Sequence, residues 1–257
     1  MIKKNIAILG LGEAGTLFAN GLADLGFRVW AWDPNPTRDL HPAIQVAKNN
    51  LEASQQADII WSVNLSEVSE EVAQEVKPCL NENRIYAELN TSSPDKKKAI
   101  EQLLKETGVL FADIAIMAPV PPKGIFSPFL ASGPGALPLA SLFQSYGLNF
   151  QTVEGEVGKA STLKLLRSIV YKGIAAVICE AMDAGKAFDQ ESYIREQITS
   201  IIGGQDELID RFVEGSRNHA VRRIHEMEAV VQMLRNQGLI PIMSEAAKEN
   251  LEKLIHH

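Results

Sequence analysis

The sequence predicts an α/β dinucleotide-binding domain of the Rossmann type over residues 1–155, followed by an all-α domain over residues 156–257. Three observations carry this. The apolar run Ile6-Ala7-Ile8-Leu9 leads directly into Gly10-x-Gly12-x-x-Gly15. Strand patterns and helix patterns then alternate to about residue 152, as a mostly parallel sheet covered on both faces requires. From Gly158 onward the strand patterns stop and apolar residues recur at helical spacing.

Each element follows in order. Ile6–Leu9 reads as the first strand, and Leu17, Phe18, Leu22 and Leu25 give the next segment a helical apolar stripe. Phe27–Trp32 is a strand ending at Asp33. Pro34 and Pro36 break the pattern, and the stretch to Gln56 is poorly periodic. Further strands are expected at 59–63, 84–89, 109–114 and 129–132. Helices are expected at 67–76, from Pro94 to 107, and at 136–146, with Pro119, Pro121 and Pro122 marking an irregular loop. In the second half a long helix runs from Lys159 to Phe188, followed by helices at 190–202, 206–237 and 243–255.

The three glycines have separate tasks. The first permits the tight turn, the second lets backbone approach a pyrophosphate, and the third lets helix and strand pack closely. The start of the following helix, with Glu13 and Ala14, then faces the phosphates. Asp33 lies about 20 residues beyond the glycines, where a carboxylate accepts hydrogen bonds from a ribose 2′-hydroxyl and repels a 2′-phosphate. NAD is therefore favoured over NADP. The first basic residue after Asp33 is Arg38. Asn64 and Asn90, each at a strand end, are placed to touch cofactor.

Composition narrows the function. A net charge of −7 weighs against nucleic acid as a partner, though a small anion in a local basic pocket remains compatible with it. Cys79 and Cys179 are far apart, without C-x-x-C spacing, which suggests a reduced compartment and no zinc site. No stretch is apolar enough to span a bilayer and no signal peptide is recognised, so a cytoplasmic location is expected. His256 and His257 are set aside as indistinguishable from a tag remnant.

On the long helix, Ser161, Lys164, Arg167, Ser168, Tyr171 and Lys172 share one polar, cationic face opposite an aliphatic one. A solvated surface is the ordinary explanation of such a face. Its position where the dinucleotide domain ends favours a site instead. Gly155-Glu156-Val157-Gly158-Lys159-Ala160 is not a P-loop, because its glycine spacing is wrong and Ala160 replaces the magnesium-binding hydroxyl residue. His225-Glu226 lacks the second histidine of a zinc motif, since Ala229 stands there, and no metal site is indicated.

Gly10-x-Gly12-x-x-Gly15, Asn90-Thr91-Ser92-Ser93-Pro94 and Gly155-x-Val157-Gly158…Lys164 together resemble the β-hydroxyacid dehydrogenase superfamily, which includes 3-hydroxyisobutyrate and 6-phosphogluconate dehydrogenases. The runs Lys164–Gly173 and Asn218–Met227 resemble more specifically a little-characterised, phosphogluconate dehydrogenase-like branch. The resemblance implies hydride transfer between a nicotinamide and a β-hydroxyacid, with Lys164 taking the hydroxyl proton. It implies Thr91, Ser92, Arg167, Ser168 and Lys172 as substrate-binding residues, a small anionic substrate and a homodimer formed through the helical domain.

The departures concern the substrate. Arg167 stands where relatives carry Asn or His, and Met117-Ala118-Pro119 where many carry Ser-Gly-Gly. His225-Glu226 replaces a Lys-Asp pair. Arg167 favours a doubly anionic or larger acid. Two rival functions are an imine reductase on the same scaffold, disfavoured by Lys164, and a non-catalytic redox sensor that binds dinucleotide.

Overall fold

A computed structural model describes residues 4–36 and 39–255, so Arg38, His256 and His257 lie outside the described residues. The chain divides into two compact units, Met1–Lys164 and Leu165–His257.

The first unit holds an eight-stranded sheet: β1 (Asn5–Leu9), β2 (Arg28–Trp32), β3 (Gln45–Val46), β4 (Ile59–Ser62), β5 (Ile85–Glu88), β6 (Leu110–Ile116), β7 (Phe129–Ser132) and β8 (Phe150–Thr152). Their order is β3-β2-β1-β4-β5-β6-β7-β8. All neighbours run parallel except β6 and β7. The helices of this unit are α1 (Glu13–Asp24), α2 (Asn50–Gln55), α3 (Ser69–Val76), α4 (Pro94–Leu104) and α5 (Ala136–Gln144). The chain leaves β1 to one side and returns to β4 on the other. A crevice at the strand carboxyl ends of such a switch point is where ligands bind in this architecture.

Alternation along β1 divides the core in two. Ile6 and Ile8 join Phe18, Leu22, Ile59 and Ile114 on one face, while Ala7 and Leu9 join Ile60, Val76, Tyr86, Ile100 and Leu104 on the other. Burial on both faces is why these strands read as nearly continuous apolar runs. Trp61 anchors the first face, with its ring against Phe18, Phe129, Phe143 and Phe150.

The long helix is α6 (Lys159–Ala187), and the division between the units falls inside it. The second unit continues with α7 (Glu191–Ile201), α8 (Asp206–Asn218), α9 (Ala220–Asn236) and α10 (Ile242–Lys253). Leu165, Ile224, Met227, Val230, Met233, Ala247 and Leu251 form one of its clusters, and Ala175, Ile178, Met182, Ile209 and Phe212 the other.

Several expectations need correction. The helix expected at 206–237 is two helices, broken at His219, whose backbone leaves the helical region (φ −127°, ψ 26°). The poorly periodic stretch before Gln56 holds β3 and α2. Residues 66–68 form a separate 3₁₀ turn ahead of α3. The aliphatic side of α6 is only partly buried: Leu165, Ala175 and Ile178 are covered, but Leu166, Val170, Ile174 and Val177 are exposed.

Candidate active site

The glycine turn is built as its spacing predicts. Gly10 has φ +107°, and a Cβ there would lie 2.3 Å from the Val63 carbonyl oxygen, so the end of β4 leaves no room for a side chain. Gly10 N donates to Trp32 O at 2.8 Å, fixing the turn against β2. A Cβ on Gly15 would fall 1.9 Å from Gly10 O, so the third glycine lets α1 close onto the turn. Gly12 is different, since a Cβ there would meet nothing within 4 Å. Its missing side chain is not needed for packing and leaves open space at the start of α1, which it cannot cap. An open, uncapped helix start beside a tight glycine turn fits a dinucleotide pyrophosphate.

Asp33 already has two backbone partners. Its Oδ2 accepts from Leu11 N at 2.7 Å and its Oδ1 from Asn35 N at 2.7 Å. It therefore orients the glycine turn as well as standing where a ribose hydroxyl would bind. Each carboxylate oxygen retains a second lone pair for such a hydroxyl.

The next turn follows β5. Ser93 caps α4, accepting from Lys96 N, and Pro94 occupies the first turn of that helix. Asn90 and Asn64 meet directly, with Asn90 Nδ2 donating to Asn64 Oδ1 at 2.9 Å while Asn64 Nδ2 donates to Ser62 Oγ at 3.0 Å. Two residues expected at the cofactor thus belong to one hydrogen-bonded group. Asn90 Oδ1 and Ser92 Oγ are buried without a protein partner.

Lys164 reaches this turn. Its Nζ donates to Thr91 Oγ1 at 2.6 Å, although the residues are 73 apart in sequence. Asp113 of β6 holds the helix that delivers it. Asp113 Oδ2 accepts from Gly158 N and Ser161 N at 3.1 and 3.0 Å, and its Oδ1 accepts from Ser161 Oγ at 2.7 Å. Ser132 Oγ of β7 also donates to Asp113 Oδ2, at 3.1 Å. A buried carboxylate on the sheet therefore caps α6 one turn before Lys164. Gly158 (φ +95°) packs against Pro94, where a Cβ would stand 3.1 Å from the ring.

The remaining predicted residues lie on α6 in the second unit. Ser168 is buried and Arg167 is exposed. Lys172 is ion-paired with Glu226. Burial pushes the Lys172 ammonium below its ordinary range, Glu226 opposes this, and Arg223 and Arg222 reinforce it. The Tyr171 ring has three cations within 6 Å of its centroid: Arg167 at 5.9 Å, Lys172 at 5.4 Å and Arg223 at 5.7 Å. Arg223 is buried and donates to Ser216 Oγ at 2.7 Å. The sequence alone allows His219 with Arg222 and Arg223 either to reach substrate or to form an exposed basic helix face, and the buried Arg223 departs from the second. Glu226 has no such signal beyond its place next to His225.

Sequence reading also missed Asp113, Glu88 and Lys97, all fully buried in the first unit. The available signal was a set of charged residues in apolar strand or helix patterns, since charge is rarely buried unpaired.

Comparison with known proteins identifies both parts of the chain. Residues 5–119 match the family described as the NAD binding domain of 6-phosphogluconate dehydrogenase, and residues 192–254 match a domain of unknown function, DUF1932. An uncharacterized 28.5 kDa protein of Methanothermus fervidus is 28% identical over 165 residues, which cover 64% of this chain and 63% of that protein, under two thirds of its length. A conserved hypothetical protein of Sinorhizobium meliloti 1021 is 26% identical (TM-score 0.77; 98% of this chain and 88% of that one). The conserved protein MTH1747, of unknown function and described as structurally similar to 3-hydroxyacid dehydrogenases, is 25% identical (TM-score 0.76; 97% and 96%). The 3-hydroxyisobutyrate dehydrogenase of Mycobacterium tuberculosis shares the fold at 15% identity (TM-score 0.77; 98% and 94%). Imine reductases from Myxococcus stipitatus, with NAD+ and with NADP+, share it at 17% identity, with TM-scores of 0.60 and 0.61. The chain joins an NAD-binding domain of the 6-phosphogluconate dehydrogenase type to a DUF1932 domain, and so resembles the β-hydroxyacid dehydrogenase superfamily.

Proposed function

We propose that the chain is an NAD(P)-dependent oxidoreductase acting on a small β-hydroxyacid or its ketoacid, with Lys164 as general acid/base. The observation that carries this reading is the 2.6 Å bond from Lys164 Nζ to Thr91 Oγ1, within the compact unit that holds the glycine turn. When bound, the nicotinamide supplies the hydride acceptor, or the donor in the reverse direction. Gly12 and the start of α1 hold the pyrophosphate, Asp33 the adenosine ribose, and Asn64 and Asn90 the nicotinamide end. Thr91 keeps the lysine amine at the turn after β5. Lys164 accepts the substrate hydroxyl proton as the free amine and returns it during reduction.

Arg167, Ser168 and Lys172 hold the anionic part of the substrate, joined by Arg223. Arg167, Lys172 and Arg223 gathered around the Tyr171 ring support an acid carrying more than one negative charge. Asp33 supports NAD over NADP through charge repulsion of a 2′-phosphate. The chain pairs with a second copy through α6, where Leu166, Val170, Ile174 and Val177 form an exposed apolar stripe at helical spacing.

A panel of β-hydroxyacids bearing one or two anionic groups, screened with NAD and NADP for formation of the reduced nicotinamide, tests the reading. Turnover of an anionic β-hydroxyacid is expected. Tight dinucleotide binding with no turnover of any hydroxyacid would overturn it in favour of a sensor, and turnover of cyclic imines alone in favour of an imine reductase.

A further inference from the structure

Lys97 of α4 has no solvent exposure and sits between two equally buried carboxylates. Its ammonium is ion-paired with Glu88 Oε2 and lies 3.5 Å from Asp113 Oδ1, and it also donates to the Glu88 carbonyl at 2.9 Å. An ion triad of this kind is an expensive way to fill a core, and apolar residues of similar volume commonly serve stability as well. Its arrangement suggests another use.

Every hydrogen-bonding partner of the Glu88 carboxylate is a donor. Oε2 takes Lys97 Nζ, while Oε1 takes the Asn90 side-chain amide and, at 3.3 Å, Asn90 N. The Asn90 amide nitrogen has acceptors on both sides, Glu88 Oε1 and Asn64 Oδ1, with Ser62 Oγ at 3.3 Å. Only one orientation of this amide satisfies them. It leaves Asn90 Oδ1 as a partnerless acceptor on a residue 6% exposed, one position from Thr91. We propose that Lys97 and Glu88 are positioning residues that fix the polarity of the Asn90 amide, so that it offers the nicotinamide end of a bound dinucleotide an acceptor and not a donor. The proposal rests on the dinucleotide reading above.

The charge on Glu88 decides the polarity. Asp113 from β6 and Tyr86 from its own strand also act on it, but among these facing groups Lys97 from α4 is the cation. Burial pushes the Glu88 carboxyl up, Asp113 adds to this, and Lys97 and the Asn90 donors offset it only in part. Without Lys97 the carboxyl would keep its proton and donate to Asn90 Oδ1, reversing the amide.

A variant cycle read by fluorescence titration with NADH, with ADP as a control for the adenosine-pyrophosphate half, tests this. Glu88→Gln must give its carbonyl to Lys97 and its amide nitrogen to Asn90, which then reverses. NADH affinity should fall about tenfold, the size of one net hydrogen bond, with ADP affinity unchanged. Asn90→Asp sets two carboxylates against each other. While the pair shares one proton it keeps an acceptor in place; once that proton is lost, the facing carboxylates repel and drive the oxygen at position 90 from its position, so NADH affinity should fall as pH rises between about 6 and 9. The double variant restores the complementarity, because the amide introduced at position 88 donates to the carboxylate introduced at position 90. Its NADH affinity should return to within about threefold of the parent, with no pH slope.

Single variants that bind NADH like the parent would overturn the proposal. So would a double variant as weak as the sum of the two, or equal loss of ADP and NADH. If Glu88→Gln fails to fold, the pH slope of Asn90→Asp decides alone, and a flat profile refutes the idea. A parent chain that binds neither NADH nor NADPH overturns the dinucleotide reading, and this proposal with it.

Discussion

Alanine at Gly12 and alanine at Gly15 separate binding from folding. At Gly12 the backbone (φ −65°, ψ −163°) suits any residue, and the added methyl meets nothing within 4 Å. Restricting the unfolded chain then stabilises the fold by about 0.4–1 kcal/mol. At about 2–4 °C per kcal/mol for a unit of this size, Tm should stay level or rise by a few degrees. The same methyl occupies the space a pyrophosphate would use, so NADH affinity should drop by at least about tenfold, or 1.4 kcal/mol. At Gly15 the order reverses. A Cβ there lies 1.9 Å from Gly10 O and 2.9 Å from Gly10 C, so α1 must shift outward by more than an ångström. Such overpacking costs about 1–3 kcal/mol, only partly offset by the better helix propensity of alanine. Tm should fall by several degrees, with binding lost as well. Thermal denaturation by circular dichroism, paired with NADH titration, reads both quantities. A Gly12→Ala chain that binds NADH as tightly as the parent would refute the assignment of the open space to the pyrophosphate.

Other perturbations have equally definite outcomes. Asp113→Ala removes three hydrogen bonds at the start of α6, one from Ser132 of β7 and one of the two carboxylates beside Lys97, and should cost about 3–5 kcal/mol in denaturant unfolding. Lys97→Met leaves Glu88 buried without its cation. Loss of the cation pushes this buried carboxyl further up than in the parent, so the folded variant keeps to higher pH a proton that the unfolded chain releases near pH 4.3, and its stability falls with rising pH more than the parent's does, by up to about 1.4 kcal/mol per pH unit. The gap in Tm between parent and Lys97→Met should therefore widen from acidic to mildly alkaline pH, and a constant gap would contradict this. Asp33→Ala should narrow the difference between NAD and NADP affinities measured by titration. Val170→Glu together with Ile174→Glu should halve the mass in solution measured by light scattering, if α6 is the dimer face.

The first unit was legible because both its periodicities and its punctuation are strong. Ile6–Leu9 and the three glycines state strand and turn within a short window, closed by Asp33 at the end of the next strand. The structure adds the packing reason for Gly10 and Gly15. What escaped was short or held by non-local bonds. α2 is only six residues long, too short for a periodic stripe. Its signal was the pair Asn49 and Glu52, in which Asn49 Oδ1 caps Glu52 N and Glu52 reaches back to Lys48 N. The break at His219 has neither glycine nor proline to announce it. Lys164 could be singled out from its helix and the resemblance. The Glu88–Lys97–Asp113 triad could not be assembled from sequence, because its members lie on three different elements and only the sheet order brings them together. The exposed stripe of Leu166, Val170, Ile174 and Val177 looks in sequence like any buried helix face. Periodicity reports that a face is apolar and leaves open what covers it.

The most direct test is Lys164→Met, assayed with whichever hydroxyacid the parent turns over and titrated in parallel with NADH. Turnover should fall by about 10²–10⁴-fold, as expected for loss of a general acid/base, while NADH affinity stays at the parent value. Turnover at the parent rate in a Lys164→Met chain that still binds NADH would contradict it.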